Sequence, residues 1–217
     1  MTTVIPADRP LSSALRREGQ LRRFRRGQAL FIEGDLAERV FLVERGWVLI
    51  SCTAPEGREI VLGLRGPSEI IGELSALDGA ARSATAVAMS EVEATVARGS
   101  VMARALDDVV AARELIGILA NRLRDADRKR LEFVALDTLG RVAERLLELA
   151  AGFGTETADG IAIELPLSQE QLASWCGASR ESTVKALSTL RTLNSISTGR
   201  QTVIIHDVAA LEQRAHR

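Results

Sequence analysis

The residues with the most evident chemistry lie between Ile70 and Ala88, in IIGELSALDGAARSATAVA. A turn at Gly72 presents Glu73 and Leu74, and a short helical stretch leads on to Arg82, Ser83 and Ala84. Backbone N–H groups of such a glycine-led turn can cradle an anion, and a guanidinium can grip a phosphate with two parallel hydrogen bonds. Arg82 is the only cationic residue from Ile70 to Ala88, so the phosphate role falls to it. Glu73 would repel a phosphate and is better suited to accept a hydrogen bond from a ribose hydroxyl. A surface Glu73 paired with Arg82 is the plainer alternative.

A second set of residues lies in LSQEQLASWCGASRESTVKALSTLR, residues 167–191. Ser168, with Gln171 three residues on, has the capping-box pattern of a helix start. Leu172, Ala173 and Trp175 give that helix an apolar face, and Cys176-Gly177-Ala178 makes a tight turn. Ser179 caps the next helix, whose Val184, Leu187 and Leu190 are expected to point inward. This is a helix-turn-helix pattern with Arg180, Glu181, Thr183, Val184 and Lys185 near the start of the second helix, where base edges are met in the major groove. Arg180 and Lys185 can donate to guanine, and Glu181 can accept from cytosine. SISTGRQTVIIHD alternates like a hairpin around Gly199-Arg200 and would form a wing, with Arg200 near phosphates. The alternative is an ordinary corner of two helices with a solvated charged face.

Composition narrows the field. Lys plus Arg number 28 against 29 for Asp plus Glu, so nucleic-acid contact must come from local charge. From residue 167 onward six basic residues face four acidic ones, a net of +2. Aromatic residues are 3% of the chain, which disfavours a single-strand binder built on stacking platforms. Cys52 and Cys176 cannot hold an iron–sulfur cluster, which takes about four ligands. The only histidines, His206 and His216, lie near the C-terminus, so neither a metal nor a haem site is expected. Paired catalytic carboxylates, a nucleophile elbow and a Walker motif are not found, and His206-Asp207 reads as wing surface. The chain therefore does not read as an enzyme. MTTVIPADRP has no apolar leader core, and no stretch approaches the roughly 18 apolar residues of a membrane span. A soluble, cytoplasmic protein without membrane association is expected.

These residues need elements to position them. Between residues 20 and 98 short runs rich in Val, Ile and Phe are cut by Gly, Pro and Asp roughly every ten residues, the spacing of a sandwich or barrel. From 101 to 133 the period becomes helical. Val109, Ala112, Ile116, Leu119, Leu123, Ala126 and Phe133 follow the seam of a coiled coil, opposite Arg122, Arg124, Asp125, Arg128 and Lys129. Some 30 helical residues span roughly 45 Å, too long for one small sandwich to cover, so a homodimer helix is expected over packing on its own domain. Asp137 caps the next helical run, TLGRVAERLLELAAGF; GFGTETADG reads as loop and IAIELPL as a strand. The boundaries are 1–100 for the β domain, 101–136 for the dimerisation helix and 137–217 for the DNA-reading domain.

With these motifs the chain resembles the CRP/FNR regulators, in their cyclic-AMP receptor protein branch, from about Gly19 to Asp207. GELSALDGAARSATA matches that family's phosphate-binding cassette, ALDTLGRVAERLLELA its hinge and following helix, and GASRESTVKAL its recognition helix. The resemblance implies an α+β chain: an N-terminal cyclic-nucleotide-binding β-sandwich of jelly-roll type, a long dimerisation helix and a C-terminal winged helix-turn-helix. It puts Gly72, Glu73 and Leu74 on the ribose, Arg82 and Ser83 on the cyclic phosphate, and Ala84 at the pocket edge. Ser168, Ser179, Arg180, Glu181, Lys185 and Arg200 would meet double-stranded DNA at a palindromic TGTGA-like site. It implies an allosteric bacterial transcription regulator, a homodimer pivoting around Leu136–Thr138, with RNA polymerase as a further partner. One departure stands out. Where relatives offer hydroxyl or amide groups to adenine, this chain has Ala126 and Asp127. Asp127 could accept from adenine N6 or from guanine N1 and N2, or simply pair with Arg124, Arg128 or Arg130. Cyclic AMP is thus the expected effector and cyclic GMP the alternative, beside a constitutive DNA binder with a vestigial pocket.

Overall fold

The structure is a computed structural model that describes residues 9–36, 38–164 and 167–215. Packing divides it into two compact units, one ending at Arg124 and the other beginning at Asp125.

The first unit opens with α1 (Pro10–Glu18), which the sequence reading did not anticipate. Proline at its first position presets φ for a helix. Its free donors are met from far along the chain: Leu11 N–H and Ser12 Oγ donate to the two oxygens of buried Glu114, at 3.0 and 3.2 Å. There follow β1 (Gln20–Phe24), β2 (Ala29–Phe31), β3 (Arg39–Arg45), β4 (Val48–Thr53), β5 (Glu59–Arg65), β6 (Ile70–Ile71), α2 (Glu73–Asp78), β7 (Thr85–Ala88) and β8 (Val92–Arg98). They build two four-stranded antiparallel sheets, ordered β1-β8-β3-β6 and β2-β7-β4-β5, the expected jelly-roll-type sandwich. Side chains of β3 alternate between two cores. Phe41 and Val43 fill the sandwich, whereas Val40 and Leu42 pack with Leu11, Leu15 and Met102 on its outer side. Burial on both faces explains why VFLV is an unbroken apolar run rather than an alternating one.

The helix expected over 101–136 is in fact two helices, α3 (Gly99–Ala105) and α4 (Val109–Ala135). The break follows from a cap: Asp108 Oδ1 accepts from Val110 N–H and Ala111 N–H at 2.8 and 2.9 Å, which starts α4 afresh. Its apolar residues divide between two faces. Ala111, Leu115 and Ile118 are buried in the first unit, with Leu119 packed beside them, while Val109, Ile116 and Leu123 remain exposed at seven-residue steps. Leu119 therefore leaves the predicted seam.

The second unit carries the last part of α4, then α5 (Thr138–Phe153), β9 (Gly154–Thr157), β10 (Gly160–Glu164), α6 (Gln169–Trp175), α7 (Arg180–Thr192), β11 (Ile196–Gly199), β12 (Thr202–Ile205) and α8 (Val208–Ala215). Asp137 caps α5 as expected, accepting from Gly140 N–H at 2.8 Å. The predicted loop at 152–160 instead supplies β9, which pairs with β10 in a sheet ordered β11-β12-β10-β9. Leu165 and Pro166 of the expected strand, and His216 and Arg217, lie outside the described residues. Within this unit α4 and α5 are cross-linked by charge. Arg128 pairs with Glu144 and Glu148 at 2.7 and 2.9 Å, and buried Arg145 pairs with Glu132. Arg141 donates to the carbonyls of Leu136 and Cys176 at 2.6 and 2.7 Å, so the expected pivot at Leu136–Thr138 is spanned by side-chain bonds.

Candidate functional site

The cassette begins where β6 runs into Gly72. Its φ is +78°, and a Cβ there would lie 2.6 Å from Arg82 Nη1, so only glycine fits both the turn and the approach. This turn delivers Glu73 inward, where it is 2% exposed. Its partner is not Arg82 but Arg122 of α4, which also donates to the Ile70 carbonyl. The reading that set Arg122 on the polar face of α4 is corrected by this contact. Nothing in the helical period marks a lone arginine as inward-facing, and only the position of buried Glu73 draws it in.

Arg82 is 4% exposed. Its Nη1 donates to the carbonyl of Gly72 at 2.8 Å and its Nη2 to that of Arg39 at 2.5 Å, with the Phe31 ring 4.4 Å from its Cζ. Its Nε is buried without a hydrogen-bond partner, and no carboxylate pairs with it among the described residues. Burial pulls its pKa down, and the more distant charges of Glu73 and Asp35 offset this only in part. A buried cation held by carbonyl dipoles, with a donor to spare, is a poor structural ion pair and a good receptor for an anion. Ala84 is buried beside it, whereas Ser83 and Leu74 are exposed. Ala126 and Asp127 belong to the second unit. Both are exposed, and Asp127 Oδ1 pairs with Arg130 Nη1 at 3.4 Å. Among the described residues, no group of His, Cys, Asp or Glu is arranged to hold a metal ion.

The other surface is built by α6 and α7. Ser168 and Gln171 form the expected capping box, and Ser179 caps α7 by accepting from Ser182 N–H at 3.1 Å. Between them Gly177 takes φ +59°, with the Phe133 ring 2.9 Å from where a Cβ would stand. Cys176 is buried in this turn, and burial pushes its thiol up to about 12. The inward face of α7 differs from expectation: Thr183, Ala186 and Leu190 are buried, whereas Val184 is exposed. Thr183 can turn inward because its hydroxyl donates to the Ser179 carbonyl at 3.0 Å. Arg180, Glu181, Val184 and Lys185 consequently share one solvent face, on which Val184 can meet a thymine methyl. Gln169, unnoticed in the sequence, accepts from Arg180 Nε and Nη2, both at 3.3 Å, and fixes its direction. Arg200 is exposed at the turn of the β11–β12 wing.

A β-sandwich with a buried arginine beside a glycine turn, followed by a winged helix-turn-helix, defines an effector-domain regulator of the two-domain type. Residues 21–109 match the cyclic nucleotide-binding domain family and residues 140–214 the Crp-like helix-turn-helix domain family. The CRP-like cAMP-activated global transcriptional regulator of Mycobacterium tuberculosis is 35% identical over 94% of this chain and 91% of its own. The cyclic AMP receptor protein of Thermus thermophilus is 33% identical over 90% of this chain and 88% of its own. Among solved structures, a CRP-family transcriptional regulator of Thermus thermophilus superposes with a TM-score of 0.79 at 29% identity, covering 90% of this chain and 97% of that one. The chain belongs to the CRP/FNR family of transcription regulators, with a cyclic-nucleotide-binding domain and a DNA-binding helix-turn-helix.

Proposed function

We propose that this regulator is a homodimer switched by cyclic AMP, with Gly72, Glu73, Leu74, Arg82, Ser83 and Ala84 forming the nucleotide cassette. Ala126 and Asp127 are its base-facing positions, and Ser168, Ser179, Arg180, Glu181, Lys185 and Arg200 its DNA contacts. One observation carries the reading: Arg82 is a buried cation with no carboxylate partner among the described residues and an unused Nε donor. Dimerisation is supported by the uncovered stripe of Val109, Ile116 and Leu123, whose seven-residue period is that of a helix–helix seam. A dimer would read a palindromic, TGTGA-like site with two copies of α7. It would work on promoters with RNA polymerase in the cytoplasm and carry out no catalysis. The nucleotide acts by binding one arrangement of the dimer more tightly than another, and a coupling of roughly 1–3 kcal/mol is ordinary for such systems.

A second reading is a constitutive DNA binder with a vestigial or cyclic-GMP-filled pocket. It draws on Ala126-Asp127, and on two Arg82 donors already being held by carbonyls. The deciding experiment is a calorimetric titration of wild type and Arg82→Ala with cyclic AMP and cyclic GMP, alongside thermal melts without ligand. Wild type should bind cyclic AMP more tightly, and Arg82→Ala should bind neither while still melting cooperatively. Equal affinity in wild type and mutant would remove the cassette assignment.

A further inference from the structure

The sandwich has an opening beside the cassette, with Arg82 in its wall. A cavity of about 240 Å³ lies between β1, β2, β3 and β8. Phe24, Leu30, Phe31, Phe41 and Val96 make its walls. Three of the five phenylalanines in a chain with 3% aromatic residues thus meet at one place, the Phe31 and Phe41 rings 5.6 Å apart and Phe24 and Phe41 6.3 Å apart. Phe41 and Val96 are buried and form the floor, while Arg22, Leu36, Glu38 and Arg39 are exposed and surround the mouth. Of the cassette residues only Arg82 lines it.

The cleft is open to water on one side and walled by rings on the other, so an apolar group entering it gains dispersion contacts with those rings. An apolar cavity of about 150 Å³ is enough to take up benzene, so 240 Å³ holds one ring or a short alkyl chain with a small polar head. The charges select the head. Arg22, Arg39 and Arg82 outnumber Asp35 and Glu38 by one. Asp35 Oδ2 already accepts from Ile32 N–H at 3.1 Å, whereas the side chains of Arg22 and Arg39 have no partner among the described residues. We propose that this cavity binds a small aromatic or short aliphatic carboxylate, its body among the phenylalanine rings and its carboxylate on the arginines of the mouth. Because Phe31 packs on Arg82, an occupant also changes what holds Arg82, and its binding is linked to that of the cassette anion. This linkage rests on the cassette reading, but the binding itself does not.

The test titrates the full-length protein, without nucleotide, with benzoate and hexanoate, using benzyl alcohol as the neutral counterpart. Val96→Phe fills the cavity from its floor, and Arg22→Glu reverses one charge at its mouth without entering the core. Wild type should bind both acids saturably, one per chain, and benzyl alcohol at least tenfold more weakly. Val96→Phe should abolish binding and Arg22→Glu should weaken the acids about tenfold. If Val96→Phe does not melt cooperatively, Arg22→Glu decides by the ratio of benzoate to benzyl alcohol. Absence of saturable binding overturns the proposal, as does binding that survives both substitutions. Complete mutual exclusion with cyclic AMP also overturns it, since the acid would then occupy the cassette. Failure of cyclic nucleotides to bind, with the acid isotherms intact, overturns the proposed effector and leaves this site standing.

Discussion

Glu73, at the first position of α2, and Arg122, in the middle of α4, form an ion pair in which the carboxylate is 2% exposed. Removing only the arginine strands a buried charge, so Arg122→Ala should destabilise the protein by about 3–5 kcal/mol. Arg122→Met combined with Glu73→Gln should recover much of that loss, because neither charge then remains. Urea unfolding of Arg122→Ala, Glu73→Gln and the double variant measures this. A double variant no better than Arg122→Ala would show that the pair's packing, not its charge, matters.

On the DNA surface, Arg180→Ala should cost about 1–3 kcal/mol and relax preference at one base pair per half-site. Gln169→Ala should loosen the same position to a lesser degree, since Gln169 orients the Arg180 guanidinium. Arg200→Ala, on the exposed wing turn, should weaken all sequences alike and lower the salt slope by about one. Binding measured against a panel of single-base variants at several salt concentrations separates the three. A change of base preference in Arg200→Ala alone would reverse these assignments.

The ligand-binding unit should show an acid-sensitive contribution from Glu44. Burial raises its pKa, but hydrogen bonds from Arg16 and Thr95 outweigh this and leave it below the usual carboxylate range. The folded state therefore holds this proton less tightly than the unfolded one. Its stabilisation is full above an unfolded pKa of about 4.3 and is lost as pH falls through the folded value. Arg16→Met should narrow that difference and flatten the fall in melting temperature between about pH 5 and 2. Unchanged acid sensitivity would mean that other groups govern it.

Asp127→Ser should move the preference toward cyclic AMP by about tenfold, or about 1.4 kcal/mol, by replacing an acceptor with a group that can also donate. Asp127 is exposed and paired with Arg130, so the substitution should leave the melting curve nearly unchanged. Paired calorimetric titrations with cyclic AMP and cyclic GMP give the ratio. A constant ratio would confine Asp127 to its pairing with Arg130.

The parts legible in the sequence were those written in local signals. The strands between residues 20 and 98, the caps at Asp137, Ser168 and Ser179, and the turn at Gly177 all formed as the short-range chemistry dictates. What stayed hidden depends on residues far apart in the chain. Glu114 meets α1 from about a hundred residues away, and Arg122 finds Glu73 across 49 positions. The break in the long helix was missed for a different reason. Apolar periodicity continues across Leu106, and Asp108 becomes a cap only once the chain bends there. Val184 was set inward because its type is apolar, yet the hydroxyl of Thr183 is satisfied within the helix and takes the inner place.

Cys176 sits inside the turn that joins the two helices of the DNA reader, and its thiol is held near 12. Only the thiolate attacks oxidants and alkylating agents, and burial keeps this thiol in its protonated form at neutral pH. Burial and the raised pKa together make the thiol inside this turn a weak target for peroxide and electrophiles.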